Sequence, residues 1–168
     1  MKSLRRFLVA VVALVAAAAP GHAQEGGPRS TGQPLPRFVS LSADVVNMRT
    51  GPGEQHPVLW VYRRNGLPVK VIGEFYQWRK VLDHEGDVGW IKSNLLSNRR
   101  KLLVVGQGLV DIKRNAAIEA RVVAQAEPGV IGDLETCDTA WCLIDLETAE
   151  GWIPRDHVWG LLEGEKLD

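Results

Sequence analysis

The sequence predicts an all-β protein built from two small barrels in tandem. Between positions 37 and 162, apolar residues alternate with polar ones or form runs of three to five. This is the periodicity of short strands, and Gly, Pro, Asn and Asp bound the runs as turn residues do. The chain also repeats itself. In each half a Gly precedes a strand, a Trp follows twelve positions later, and Gly-Trp-Ile closes the unit.

The repeat has a period near 63 residues. Residues 37–49 align with 101–113 at an offset of 64, whereas the offset is 63 from position 66 and 62 from position 89. Two loops have each lost one residue while the strands keep their alignment, as expected because loops tolerate changes in length. Each unit offers about five short strands. Antiparallel strands this short protect their edges best by curling into a small barrel.

The first 23 residues have the pattern of a secretory signal peptide. Lys2, Arg5 and Arg6 precede an apolar run over residues 7–19, and a box of small residues suited to cleavage ends at Ala23. Thirteen apolar residues are too few to span a hydrocarbon core of roughly 30 Å. We therefore expect export with cleavage and no integral membrane segment afterwards. The short basic region is typical of a bacterial exported protein.

Cleavage would leave a chain of ordinary charge. Removing the three basic residues of the leader from the total of 20 leaves 17, against 20 acidic residues. A dedicated nucleic-acid-binding protein carries a strong basic excess. The sequence therefore predicts no nucleic-acid partner.

The domain boundaries follow from composition and from the repeat. The stretch before position 37 is rich in Gly, Pro and polar side chains, and it buries too little apolar surface to offset its ordering entropy. The predicted order is signal peptide 1–23, disordered tether 24–36, first domain 37–97, linker 98–101, second domain 102–162 and C-terminal tail 163–168. Because short connections make sequential elements neighbours, the domains should touch. Leu102, Leu103 and Trp159 are expected on the shared face.

The linker carries a basic cluster, Asn98-Arg99-Arg100-Lys101. Such a cluster could meet anionic phosphates of the envelope. It could equally be a solvated connector, since four residues exert little electrostatic attraction through salt. The sequence leaves both interpretations open.

Cys137 and Cys142 are the only cysteines. In an exported protein an even pair is first interpreted as a disulfide, and four intervening residues suit a bridge across the neck of a hairpin. A metal site would need more ligands than two cysteines and a distant His157 supply. We expect a structural disulfide, no metal and no cofactor.

Several motifs together resemble the bacterial SH3 domain family. In the first unit they are Asn47-Met48-Arg49-Thr50-Gly51-Pro52, Trp78-Arg79-Lys80-Val81 and Gly89-Trp90-Ile91. In the second unit they are Trp141-Cys142-Leu143-Ile144 and the string at 151–158. The resemblance covers about 38–97 and 102–160, and it implies two SH3-like β-barrels. It also implies a periplasmic or secreted binding module whose partner is peptidoglycan peptide or an envelope protein.

Two departures from the family pattern bear on the ligand. The second unit lacks the opening motif and has Asp111-Ile112-Lys113 in its place. Relatives that bind proline-rich peptides use aromatic-lined grooves. Where those relatives carry a groove tyrosine, this chain has Leu95 and His157.

Aromatic side chains are the candidates for a binding groove, because Trp and Tyr anchor interfaces and stack on sugars and peptides. The candidate groove residues are Asn47, Arg49, Trp60, Tyr62, Tyr76 and Trp78. Trp90, Trp141 and Trp152 are assigned to packing, although Trp78 and Trp141 begin strands after tight turns and suit either role. Val123 or Ala124 stands where the first unit has Trp60. We therefore expect the first unit to bind ligand and the second to support it.

Motifs for catalysis are absent from the sequence. Cys142 and His157 are the one conceivable nucleophile–base pair, and both fall in predicted strands or turns. No Gly-x-Ser-x-Gly, His-Glu-x-x-His or phosphate-binding loop occurs. We expect a non-catalytic exported module that recognises cell-wall peptide or an envelope protein. The alternative is a structural or regulatory adaptor in which the two packed barrels form one protein–protein interaction surface.

Overall fold

The computed structural model describes residues 30–167. The predicted signal peptide, the first part of the predicted tether and Asp168 lie outside the described residues. The strands of the first unit are β1 (Arg37–Leu41), β2 (Val46–Arg49), β3 (Val58–Tyr62), β4 (Pro68–Phe75), β5 (Trp78–Leu82), β6 (Val88–Lys92) and β7 (Leu96–Ser97). Those of the second are β8 (Lys101–Val104), β9 (Val110–Lys113), β10 (Val122–Ala126), β11 (Ile131–Cys137), β12 (Trp141–Asp145), β13 (Glu150–Pro154) and β14 (Val158–Trp159). A single 3-10 turn precedes each last strand, at Ser93–Leu95 and Arg155–His157.

Both units have the same antiparallel topology. The strand order is β3-β2-β6-β5-β4-β1-β7 in the first sheet and β10-β9-β13-β12-β11-β8-β14 in the second. Counted from the start of each unit, these two orders are identical. The predicted all-β fold with two tandem units is confirmed. The two-residue strands β7 and β14 were missed because a pair of residues is too short to show periodicity.

Each sheet curls around its own apolar core. The first core contains Val39, Leu41, Val46, Met48, Leu67, Val69, Val71, Val81 and Ile91. The second contains Leu102, Val104, Val110, Ile112, Ala126, Cys137, Cys142, Ile144 and Ile153. In strands such as β2, β9 and β13 the core residues alternate with more exposed neighbours, as one-sided burial of a strand requires. β1 and β8 are instead buried on both faces after their first residue.

The two cores meet at a buried boundary, as the short linker predicted. Leu103 comes from the second unit, yet it is 1% exposed and belongs to the first core. Trp159 packs against the same core. Leu102 faces its own barrel instead, so its predicted place on the shared face was wrong. Successive side chains of a strand point to opposite faces, and Leu102 and Leu103 therefore cannot share one.

Polar and aromatic contacts reinforce this boundary. The Trp159 indole N–H donates to the Pro68 carbonyl at 3.2 Å, and its ring meets that of Phe38 edge to face at 5.1 Å. The Lys70 ammonium lies 5.0 Å from the Trp159 ring centroid and 5.4 Å from that of Phe38. The Arg64 guanidinium donates to the Gly129 carbonyl. These contacts hold the two barrels in one fixed arrangement.

The basic linker and the predicted tail are engaged with the protein. Arg100 forms a bidentate ion pair with Glu165, at 2.7 and 3.1 Å. Lys101 begins β8 and pairs with Asp133 at 2.8 Å. Leu167 exchanges two backbone hydrogen bonds with Cys137 at the end of β11. Much of the linker charge is therefore used inside the protein. No helix among residues 30–167 is long and apolar enough to cross a membrane.

Candidate functional site

A groove of about 200 Å³ lies on the outer face of the first unit. It is lined by Val45, Asn47, Arg49, Glu54, Trp78, Lys92 and Leu95. Trp78 begins β5 and stands directly opposite Lys92, the last residue of β6. Directly opposed residues of antiparallel strands share a face. The sheet thereby brings the start of one strand and the end of the next to one surface.

The loop between β2 and β3 forms one wall of this groove. Arg49 donates through Nη1 to the backbone carbonyls of Glu54 and His56, at 3.1 and 2.8 Å. The arginine thus fixes the loop that follows its own strand. From that loop Glu54 reaches the Lys92 ammonium at 3.1 Å. The Lys92 hydrogen bond and charge lower the pKa of Glu54, and this ion pair bridges the groove.

A second groove of about 490 Å³ occupies the corresponding place in the second unit. It is lined by Leu109, Val110, Asp111, Lys113, Ile118, Ala140, Trp141, Pro154 and His157. All seven lining residues of the first groove have their repeat counterparts in this second lining. The two grooves are therefore one site in two versions.

The two grooves differ most at the positions that form the ion pair in the first groove. Glu54 corresponds to Ile118, and Lys92 corresponds to Pro154. The second groove thus has an apolar pair in place of a charged bridge. Ile118 is 78% exposed and Leu109 is 57% exposed. Large apolar side chains that are exposed and clustered indicate an interaction surface. Ile118 and Leu109 both line this groove.

The charged groups of the second groove are already partnered. Asp111 accepts a hydrogen bond from the Gln125 amide at 2.9 Å and pairs with the Lys113 ammonium at 3.3 Å. Gln125 first and Lys113 second lower the pKa of the Asp111 carboxyl. Apolar contact with Trp141 and Pro154 is therefore what this groove chiefly offers to a ligand.

The hairpin that carries each groove tryptophan is closed at its neck by a different bond. The predicted disulfide Cys137–Cys142 is present, and it joins the end of β11 to the second residue of β12, directly after Trp141. At the equivalent positions of the first unit, Glu74 stands opposite Arg79, and their side chains approach to 3.3 Å. A covalent bond in one unit thus replaces an ion pair in the other.

The sequence-predicted groove residues do not all come together. Asn47, Arg49 and Trp78 line the first groove. Trp60 lies 49% exposed on the edge strand β3, and Tyr76 lies in the turn between β4 and β5.

Tyr62 ties two elements of the first unit together. Its hydroxyl donates to Asp83 at 2.7 Å, and its ring packs against the first core. Burial first and the bond to Asp83 second raise the pKa of Tyr62. The carboxyl oxygens of Asp83, Glu85 and Asp87 lie within 4.8 Å of one another. Asp83, however, accepts the backbone N–H groups of Glu85 and Asp87, so these contacts organise a turn.

Several groove residues were missed by inspection of the sequence. Trp141, assigned to packing, lines the second groove, whereas Trp90 and Trp152 are half-buried and line neither groove. Glu54 and Ile118 were not singled out at all. The alignment of the two repeats contained this information, because it pairs each lining residue of the first groove with a lining residue of the second. Trp78 is only 6% exposed, so its replacement would disturb packing as well as binding.

Comparison with known proteins agrees with this architecture. The family described as "Bacterial SH3 domain" matches residues 42–98 and 109–160. These matches cover most of the chain, and the chain belongs to the bacterial SH3 domain family. Bacterial SH3 domains are commonly cell-wall binding modules and occur in cell-envelope proteins.

Comparison with solved structures and with curated proteins adds little. The structure of NlpC1 from Trichomonas vaginalis is similar at 13% identity and a TM-score of 0.35, over 83% of this chain and 51% of that one. This chain therefore spans about half the length of that structure. No curated protein matches it.

Proposed function

We propose that this chain is a non-catalytic, exported binding protein that recognises cell-wall peptide through its paired grooves. The observation that carries the proposal is the recurrence of seven lining positions, with a tryptophan at the start of a strand in each unit. Core packing does not require both units to keep a groove at the same outer place. The family's common role in cell-wall binding supports the same ligand class.

The second groove is the principal site in this proposal. Its rim residues Ile118 and Leu109 are exposed, and no ion pair bridges it, whereas Glu54 and Lys92 bridge the first groove. Ligand pockets are concave and lined mainly by apolar side chains, with a few polar groups that fix the orientation of the ligand. This assignment reverses the expectation, drawn from aromatic content, that the first unit binds.

Retention on purified peptidoglycan tests the proposal, together with an NMR titration using soluble stem peptide. Ile118→Asp should weaken retention and peptide affinity by about fivefold or more, because it places a carboxylate in the apolar rim beside Asp111. The fold should survive, since Ile118 is 78% exposed. Val58→Asp is the matched control, because Val58 is 42% exposed on β3 and lines neither groove.

Two results would contradict the proposal. Clean flow-through of the wild-type chain would reject cell-wall peptide as the ligand. Unchanged retention of Ile118→Asp would reject the second groove as the site.

A second candidate function is the adaptor with one composite protein-binding surface. It is favoured by the fixed boundary that Leu103 and Trp159 form between the barrels. Such a boundary holds both grooves in a constant relation to a single partner. Flow-through on peptidoglycan, combined with envelope-protein cross-linking that Ile118→Asp abolishes, would select this function.

A further inference from the structure

Three aromatic rings form a chain of contacts on the outer face of the first unit. The rings of Phe75 and Tyr76 meet edge to face at 4.9 Å, and those of Phe75 and Trp90 do so at 6.5 Å. Tyr76 is 55% exposed and Phe75 is 37% exposed. Lys80 is also exposed and stands directly opposite Trp90. We call Phe75, Tyr76, Lys80 and Trp90 the aromatic patch.

The backbone of Tyr76 is held in a conformation that bulky residues avoid. Its φ is 49°, in the left-handed region, and a non-glycine residue there costs energy unless its surroundings enforce it. Arg79 enforces it by donating through Nη1 to the carbonyls of Tyr76 and Trp78, at 2.9 and 3.0 Å. Glu74 in turn holds Arg79. Backbone strain of this kind clusters at functional sites.

The turn itself does not require aromatic residues. In the second unit the corresponding positions are Asp138 and Thr139. There the Asp138 carboxylate accepts the backbone N–H groups of Ala140 and Trp141, both at 2.7 Å. A polar turn therefore closes the same hairpin without rings. The exposed rings of the first unit need a reason other than folding.

The position of the patch limits how a ligand can be held. Its residues lie on β4, β5 and β6 or in the turn between β4 and β5, and all three strands are internal to the sheet. Their backbone groups are already paired with neighbouring strands, so an added peptide strand would find no unpaired edge there. A ligand must be recognised through ring faces and side-chain donors. Pyranose rings suit this surface, because their C–H faces pack on aromatic rings and their oxygens accept from Tyr76 and Lys80.

We propose that the aromatic patch binds a pyranose glycan strand. This proposal rests on the proposed function only for the location of the protein at the cell wall, because the grooves and the patch bind different ligands. The patch is continuous with the first groove, because Phe75 stands opposite Trp78 and Trp90 opposite Arg49. One face of the first unit thus presents a glycan site beside a peptide groove.

A titration of the full chain with tetra-N-acetylchitotetraose tests this site. The NMR signals of Phe75, Tyr76 and Trp90 should shift as the tetrasaccharide binds. Tyr76→Asn should weaken binding by about fivefold or more, as expected for the loss of one stacked ring. Asn tolerates a left-handed backbone, so this variant removes the ring and keeps the turn. Trp60→Ala is the control, because it removes an equally exposed ring on β3 and should leave the affinity unchanged.

The outcomes separate this proposal from the peptide grooves. Tetrasaccharide binding that survives Ile118→Asp but not Tyr76→Asn supports the glycan site, even if stem peptide fails to bind. Equal affinity of Tyr76→Asn and wild type would overturn it. Shifts of the patch signals with stem peptide and none with the tetrasaccharide would overturn it too.

Discussion

Glu74 joins several parts of the first barrel through its carboxylate. Burial alone would raise its pKa, but the Thr31 backbone N–H and the Arg37 guanidinium donate to its carboxylate at 2.6 and 2.7 Å. These bonds, with the Thr31 hydroxyl and the charge of Arg79, lower the pKa of Glu74 to about 2. One carboxylate thus joins Thr31, β1 and the hairpin that carries Tyr76.

The pKa of Glu74 gives the first unit a defined acid sensitivity. The folded-state pKa lies below the ordinary value of 4.5, so the ionised carboxylate stabilises the fold above about pH 4.5. That contribution should be lost as the pH falls towards about 2. Denaturant unfolding at a series of pH values should show Glu74→Gln less stable than wild type at pH 6, with the difference vanishing near pH 2.

The second unit supplies the internal control for this experiment. Burial would raise the pKa of Glu165, but Arg100 and the Leu162 backbone N–H outweigh it and lower that pKa. Glu74→Gln should therefore leave the acid sensitivity of the second unit intact. A difference between Glu74→Gln and wild type that persisted unchanged down to pH 2 would show that ionisation of Glu74 contributes nothing.

At the scale of residues, sequence reasoning found the groove in part. Asn47, Arg49 and Trp78 belong to recognisable motifs, and the structure brings them together. The ion pair between Glu54 and Lys92 was not predictable, because it joins residues 38 positions apart through the fold of a loop. Strand alternation gave no way to tell that the hydroxyl of Tyr62 finds a buried partner.

At the scale of elements, the hairpin neck is the point of divergence between the two units. Its disulfide was predictable from the spacing of two cysteines in an exported chain. The equivalent residues of the first unit, Glu74 and Arg79, align with the two cysteines at an offset of 63. Their ion pair was not predictable, because charged residues at a strand end have many other possible partners. Both necks hold the strand that begins with a groove tryptophan. Their difference should therefore make one groove redox-sensitive and the other acid-sensitive.

Replacing both cysteines with alanine tests the covalent neck. Cys137→Ala with Cys142→Ala should lower the free energy of unfolding of the second unit by about 2 kcal/mol or less, because the closed loop is short. Amide hydrogen exchange by NMR would follow each unit separately. Protection should fall in β11 and β12, and ligand affinity at the Trp141 groove should weaken.

Reduction of the wild-type chain is the control for the cysteine variant. Dithiothreitol should reproduce the loss of protection in the second unit and leave the first unit unchanged, because its neck is the Glu74–Arg79 ion pair. A double variant as stable as the oxidised wild type would show that the disulfide does not stabilise this hairpin.

At the scale of the whole molecule, the two barrels share a buried boundary to which Leu103 and Trp159 contribute. The short linker predicted contact between the barrels, but the sequence did not identify which leucine of β8 packs into the core of the first barrel. That choice depends on the pairing of β8 with β11, where a shift of one residue would exchange the faces of Leu102 and Leu103. Leu103 belongs to the first core and Leu102 to the second, so adjacent positions of one strand contribute to different barrels.

Substitutions of Leu102 and Leu103 therefore provide a paired test of coupling between the barrels. Leu103→Ala should destabilise the first barrel, although residue 103 lies in the second repeat, because it leaves a cavity in a core where Leu103 is 1% exposed. The loss should be about 2–5 kcal/mol, the usual cost of truncating a buried leucine. Leu102→Ala removes the same group from the same strand and should destabilise the second barrel instead. Hydrogen exchange measured barrel by barrel distinguishes them, and loss of protection confined to the second barrel in both variants would show that the barrels fold independently.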